Sequence, residues 1–208
     1  MTTLALEFSS DRRSVALARA GAVLSEAVQL TAARATNAFA LIETILTETK
    51  VAREEIEAIA VGLGPGSYTG IRAAIALAQG WQLARGVKLI GVSSAAAMVL
   101  RAQAEGIFGR VNVIIDAQRG EFYSATWEVT ATDCREIAPL KIIAASEIEI
   151  GKVAGEIFIG PETARKIFPG AREIARLAEN KICAADEVLE PIYLRAVSFV
   201  KAPPSREL

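Results

Sequence analysis

Four glycines lie close together in the segment GLGPGSYTG, which runs from Gly62 to Gly70. Glycine permits positive φ and a close approach of the backbone. Ser67 or Thr69 could cap a following helix, whose free N–H groups would attract an anion. The segment has no lysine and matches neither G-x-x-x-x-G-K-[ST] nor G-x-G-x-x-G. Two interpretations stay open, a tight structural turn or a loop that contacts a phosphate. In the second, the nucleotide or anion contacts would be Gly64, Gly66, Ser67, Tyr68, Thr69 and Arg72.

Glu7 and Asp116 are the acids best placed for metal-assisted chemistry. Each ends a predicted strand beside a turn that contains arginine. Two carboxylates at equivalent positions of duplicated domains would suit an ATPase or kinase that directs a metal ion in phosphoryl transfer. The simpler interpretation, which we favour, is that both acids are solvated at strand ends and that the chain has no catalytic or metal site of its own.

The composition excludes several kinds of chemistry. There is no histidine, which removes Ser–His and Cys–His pairs and H-E-x-x-H zinc sites. Cys134 and Cys183 lie far apart in the sequence and are expected to be inert thiols in a reducing compartment. The 23 basic and 24 acidic residues give a formal net charge of −1. Since that charge offers no electrostatic footprint for nucleic acid, any contact with RNA should be indirect.

The sequence predicts a cytoplasmic protein without a membrane contact. Apolar residues make up 52% of the chain, enough for a substantial core. Between Ala58 and Leu100 the uncharged runs reach at most 14 residues, whereas a membrane helix needs about 20 apolar residues. The start MTTLALEF has no basic region before its apolar residues, so no signal peptide is expected.

Strands and helices alternate along the first hundred residues, which predicts an α/β domain with a mixed sheet. The predicted strands are 4–8, 14–18, 22–28, 56–63 and 88–91, and the predicted helices are 37–50, 69–85 and 93–103. Helix 69–85 has a narrow polar stripe of Arg72, Gln79 and Gln82 and is apolar almost all round, so it should be buried on more than one side. The preceding helix or a second protein chain could supply the cover.

The second half resembles a restart of the first. Strands are predicted at 111–116, 121–129 and 156–160, and short helices at 146–153, 162–167 and 173–180. This weak similarity indicates either duplicated domains joined near residues 105–109 or two hairpins that merely look alike. The tail, residues 201–208, is expected to be disordered.

Three segments together resemble the TsaB (YeaZ) family. They are GLGPGSYTGIR followed by Ala78-Gln79-Gly80, the turn DAQRGEFY at 116–123, and EPIYLR at 190–195. The family patterns they are similar to are its glycine-rich signature, D-A-R-x-G-E-V-Y and E-P-x-Y-L-R. Their order and spacing suit the family across nearly the whole chain.

The resemblance implies an α/β fold of two actin-like (ASKHA, ribonuclease-H-like) domains, the second reduced in helix. Residues 1–105 would form an N-terminal domain that carries the dimerisation helices, 106–200 a smaller C-terminal domain, and 201–208 a flexible tail. The partner interface would then lie on helices 37–50 and 69–85, at Leu41, Ile42, Ile45, Ile71, Ile75, Ala78 and Trp81.

The resemblance also implies a role without catalysis. The family supplies a scaffold and dimerisation subunit that a TsaD-type catalytic subunit needs to transfer threonylcarbamoyl to the adenosine beside the tRNA anticodon. A TsaE-type ATPase is the third component. The chain would carry no cofactor of its own, with ATP or ADP at the complex interface, and would form a homodimer when alone. A self-contained homodimer that binds small anions remains an alternative.

This sequence departs from the family pattern at two places. Glu7-Phe8-Ser9 replaces the usual D-T-S of the first phosphate loop, and Arg34 or a neighbour stands where relatives often carry histidine. Because glutamate reaches one methylene further than aspartate, the metal and nucleotide geometry of actin-like ATPases is not expected here.

Overall fold

The computed structural model describes residues 1–30, 37–179, 181 and 188–194. Its first sheet has the order β3-β2-β1-β4-β5. Strands β1, β2 and β3 pair antiparallel, whereas β1, β4 and β5 run parallel. The five strands are β1 (Thr2–Glu7), β2 (Arg12–Arg19), β3 (Ala22–Leu30), β4 (Ala58–Gly62) and β5 (Lys88–Val92).

The second sheet repeats this arrangement. Its order is β8-β7-β6-β9-β10, with β6, β7 and β8 antiparallel and β6, β9 and β10 parallel. The strands are β6 (Gly109–Asp116), β7 (Glu121–Val129), β8 (Cys134–Ala144), β9 (Ile157–Gly160) and β10 (Arg165–Lys166). The same order in both sheets supports duplication over the chance likeness of two hairpins. The predicted α/β fold of two similar halves is confirmed.

The described residues form five α-helices. They are α1 (Ala38–Thr49), α2 (Tyr68–Arg85), α3 (Ser94–Ala104), α4 (Ala145–Val153) and α5 (Ala171–Glu179). The side chains of Asn37, Ser67 and Ser93 cap the first three by accepting a hydrogen bond from the backbone N–H three residues on. Left-handed Lys50 and Gly86 end α1 and α2. Among the described residues, no helix is long and apolar enough to cross a membrane.

The two faces of the first sheet are covered differently. On one face, α1 and α2 bury a cluster of large side chains that includes Phe8, Ile45 and Ile71. On the other face, small residues such as Ala5 and Ala16 let α5 pack close. Burial of these apolar surfaces holds the helices against the sheet, at roughly 25 cal/mol per Å² removed from water.

Helices α3 and α5 join the two halves. Helix α3 packs mainly in the core of the second sheet, through residues such as Met98 and Val99, although it precedes that sheet in the chain. Helix α5 follows the second sheet but packs on the first. Its first N–H groups are held by first-sheet side chains: Ala171 N donates to Ser14 Oγ (2.8 Å) and Arg172 N to Glu26 Oε1 (3.3 Å). These crossed contacts tie the halves together.

Two secondary-structure predictions for the second half differ from the structure. The helix predicted at 162–167 is wrong: Thr163 N donates to Gly160 O (3.3 Å) in a turn, and β10 follows. Strand β8 was not predicted, because charged residues and Pro139 interrupt its apolar alternation. Four predictions concern residues outside the described ones: the disorder of the tail at 201–208, Arg34, Cys183 and the end of the helix predicted at 173–180. The boundary between residues 105 and 106 stays a prediction.

Candidate functional site

A cleft of about 750 Å³ lies between the two halves. Its walls come from the β1–β2 turn, the glycine-rich loop, the β6–β7 turn and the segment after β9. Among the described residues, the carboxylates of Asp11, Asp116 and Glu162 line it, together with the cation of Lys166. A cleft with more acidic than basic groups disfavours a bare phosphate anion.

Glu7 points into the protein beside this cleft. Its side chain is fully buried, and each carboxylate oxygen accepts a hydrogen bond: Ser9 N donates to Oε1 and Ser94 Oγ to Oε2, both at 2.7 Å. Burial raises the pKa of Glu7, although hydrogen bonds from Ser9 and Ser94 lower it in part. The interpretation of Glu7 as a solvated strand-end acid is therefore wrong, because Glu7 has protein donors instead of water.

Asp116 lies in a different environment. It is exposed, it lines the cleft, and its oxygens accept hydrogen bonds from the backbone N (2.7 Å) and side chain (2.7 Å) of Gln118. The two acids are thus not equivalent, although their strands are. In the segments that the structure describes, no group of three His, Cys, Asp or Glu residues is placed to hold a metal ion.

The glycines of GLGPGSYTG are explained by contacts within the chain. A Cβ at Gly62 would collide with Glu7 Oε2, one at Gly66 with the carbonyl of Ser9, and one at Gly70 with the carbonyl of Phe8. Gly64 has φ +90° and Gly66 φ +147°. The glycines let this loop pack directly against the β1–β2 turn, which favours the structural-turn interpretation.

The predicted anion contacts are divided between the cleft and the surface of α2. Gly66, Ser67 and Tyr68 line the cleft, Gly64 is buried, and Thr69 and Arg72 are exposed on the first turns of α2. Their contact with nucleotide or another anion stays a prediction.

Two tyrosines stack at the start of α2. The rings of Tyr68 and Tyr193 are 5.4 Å apart and inclined by 24°, and the Arg72 guanidinium lies 4.4 Å from the centre of the Tyr68 ring. Burial raises the pKa of Tyr193, and Arg72 opposes the shift. Tyr193 belongs to the segment 188–194, which returns to the first half: Leu189 enters its core and Ile192 N donates to Leu63 O (2.9 Å).

A groove of about 470 Å³ runs along the outer side of α1 and α2. Phe39, 73% exposed, lines it together with Ala76, Leu77, Gly80 and Trp81. Two ion pairs flank it, Arg53 with Glu43 and Arg85 with Glu54 (3.9 Å). The floor is apolar, and these four charged groups neutralise one another.

The predicted interface residues lie mostly beneath this groove. Ile42, Ile45, Ile71, Ile75 and Ala78 are buried in the chain's own core. Leu41 and Trp81 are half-buried and pack against the same core. Ile42 also lines the groove, whereas Ile45, Ile71, Ile75 and Ala78 are covered by the chain's own core, and the partner interface at these residues stays a prediction.

Comparisons with known proteins give two kinds of name, TsaD for a family model and TsaB or YeaZ for individual relatives. A family model described as "TsaD: tRNA N6-adenosine threonylcarbamoyltransferase" matches residues 30–202. The chain is 27% identical to the tRNA threonylcarbamoyladenosine biosynthesis protein TsaB of Escherichia coli, over 100% of both chains. It is 26% identical to the TsaB protein of Bacillus subtilis, over 94% of each.

A solved structure agrees as well. YeaZ from Pseudomonas aeruginosa superposes with a TM-score of 0.78 at 26% identity, covering 93% of this chain and 100% of that one. The chain belongs to the TsaB (YeaZ) family. The family resemblance carried by the three sequence segments is therefore confirmed.

The predicted interface residues include two that line the groove, Ile42 and Trp81, but not its more exposed residues. Apolar periodicity identifies the buried side of a helix, so it did not select Phe39 or Ala76. One signal could have found the outer side. Gly80 stands in the middle of a long helix, where glycine costs about 1 kcal/mol relative to alanine.

Proposed function

We propose that this chain is a non-catalytic scaffold and dimerisation subunit. It supports a TsaD-type catalytic subunit in transferring threonylcarbamoyl to the adenosine beside the tRNA anticodon. The names of its relatives refer to threonylcarbamoyladenosine biosynthesis. The observation that carries the proposal is the apolar groove on α1 and α2, with its exposed face of small residues.

The outer face of α2 is suited to a second helix. Ala76, Gly80 and Ala84 follow one another at four-residue spacing and are all exposed, and Leu83 on the same face is 91% exposed. Apart from its two chain neighbours and the adjacent backbone of α2, no described atom lies within 4 Å of a Cβ built at Gly80. The fold itself therefore does not require glycine there, whereas a closely packed partner helix would favour it.

The environment of the two acids favours a role without catalysis. A kinase or ATPase that used Glu7 and Asp116 needs both carboxylates directed at one metal ion. Glu7 is buried on hydrogen bonds from Ser9 and Ser94, and only Asp116 lines the cleft. We therefore assign the chemistry to the TsaD-type partner.

A pair of matched surface variants tests the proposal. Leu83→Glu places a charge on the outer face of α2, and Val153→Glu places the same charge on α4 at a side chain that is also 91% exposed. We expect wild type and Val153→Glu to form a complex with the TsaD-type subunit in light scattering, and Leu83→Glu to form none. Threonylcarbamoyl transfer to tRNA should fall with the complex.

Three results would count against the scaffold role. One is a wild-type chain that forms only homodimers in the presence of the TsaD-type subunit. Another is a complex that Leu83→Glu leaves intact. The third is an Asp116→Ala variant that abolishes tRNA modification while the complex still forms, because that result would place catalysis in this chain.

A further inference from the structure

Glu7 lies where three segments of the first half meet. It ends β1, its Oε1 accepts from Ser9 N in the β1–β2 turn, and its Oε2 accepts from the hydroxyl of Ser94 at the start of α3. These partners lie 2 and 87 residues away along the chain. A buried carboxylate with a donor on each oxygen fixes the groups around it in one arrangement.

Ser94 connects Glu7 to the glycine-rich loop. Its hydroxyl donates to Glu7 and accepts from Gly64 N (3.1 Å), while its own backbone N donates to Gly64 O (2.9 Å). Ser94 is fully buried, so water cannot replace these bonds. Both polar groups of the Gly64 backbone are thus held by one residue, and that residue is held by Glu7.

The neighbours of Gly64 extend the contact to both sides of the cleft mouth. Leu63 O accepts a hydrogen bond from the N–H of Ile192 (2.9 Å), the residue before Tyr193. The N–H of Ser67, the residue before Tyr68, donates to Ser9 O (2.7 Å). The stacked tyrosines therefore belong to two segments that are both fixed through the loop at residues 62–67.

We propose that Glu7 is a positioning residue: acting through Ser94, it fixes the glycine-rich loop and so brings Tyr68 and Tyr193 together at the mouth of the cleft. Gly62 is needed for this arrangement, because a side chain there would displace the Glu7 carboxylate. The inference concerns the cleft and does not depend on a partner subunit.

Hydrogen exchange at single amides tests this inference. Glu7→Gln keeps the shape of the side chain but cannot accept from both donors, and Ser94→Ala removes the link. In either variant we expect exchange at Gly64, Ser67 and Ile192 to speed up at least tenfold, after correction for global stability. Amides of β6 should be unchanged. The near-ultraviolet circular dichroism of the tyrosines should weaken in parallel.

Ser93→Ala is the matched control, since the Ser93 hydroxyl caps α3 but bonds Ala96 N (3.4 Å) instead of Glu7. It should leave loop exchange within twofold of wild type. In the double variant of Glu7 and Ser94, loop exchange should be no faster than in the faster single variant. Unchanged loop exchange in Ser94→Ala, equal acceleration in Ser93→Ala, or additive effects in the double variant would overturn the positioning role.

Discussion

The hydroxyl of Ser94 donates to Glu7 Oε2 at 2.7 Å, and a Cβ on Gly62 would occupy the place of that oxygen. The acid that ends the first strand of the first half thus points away from the cleft. This orientation separates Glu7 from its counterpart Asp116, which lines the cleft.

Replacing Glu7 by glutamine should destabilise the fold. The amide would leave the Ser94 hydroxyl proton without an acceptor, or would set an N–H group against Ser9 N. Each unpaired buried group costs about 1–3 kcal/mol. Urea denaturation at pH 7 measures the loss. A Glu7→Gln variant as stable as wild type would show that the two hydrogen bonds contribute nothing.

Replacing Glu173 by glutamine should have the opposite effect and stabilise the fold. Glu173 is buried, and its Oε2 has no hydrogen-bond donor within the described residues. Burial raises the pKa of Glu173, and the charge of Glu26 adds to the shift while Arg101 and Arg176 oppose it. Glutamine carries no charge for burial to penalise, and this gain should exceed the weakening of the backbone hydrogen bond that the carboxylate accepts, so Glu173→Gln should raise the free energy of unfolding at pH 7.

The same raised pKa of Glu173 sets the sign of a pH effect. The folded chain holds this proton more tightly than the unfolded chain, so stability decreases as pH rises from the ordinary value of 4.5 through the higher folded value. Glu173→Gln should therefore flatten the pH dependence of unfolding over that range. An unchanged slope between pH 4.5 and 8 would mean that the Glu173 pKa is not raised.

Shortening the buried side chains that the sequence placed at the partner interface should lower stability and leave binding unchanged. Ile45 and Ile71 are fully buried in the core of the first half. Isoleucine to alanine in such a site costs about 2–5 kcal/mol. Ile71→Ala should lower the melting temperature, yet the folded fraction should bind the TsaD-type subunit as wild type does. A selective loss of binding at unchanged stability would contradict the burial seen here.

Sequence patterns predicted the elements that local signals determine. Helix α1 follows an apolar period and an Asn37 cap, and the parallel strand β4 is a short β-branched run. They did not predict which sheet a helix packs on. Helix α5 packs on the first sheet through hydrogen bonds to Ser14 and Glu26. These join residues that are 146 or more positions apart, so the local sequence of α5 does not predict them.

The candidate site was predicted only in part, because long-range contacts also determine it. The glycines and both acids were found from their types, but the direction of each side chain depends on tertiary contacts. The Glu7 side chain points inward because Ser94, 87 residues along the chain, donates a hydrogen bond to it. Conversely, Gly80 has no role in the folded chain that the described contacts reveal.

Gly80 offers the most direct test of the scaffold role, since substitutions there should separate the stability of the chain from its binding to a partner. Gly80→Ala should stabilise the isolated chain by about 1 kcal/mol through helix propensity. Gly80→Leu should also fold, because the position is open, but its side chain should keep a partner helix from approaching. The decisive measurement is the dissociation constant with the TsaD-type subunit, determined for both variants by sedimentation velocity. We expect Gly80→Leu to weaken binding at least a hundredfold while its melting temperature stays at or above that of wild type. Equal affinity of Gly80→Leu and wild type would contradict the assignment of this face to a partner.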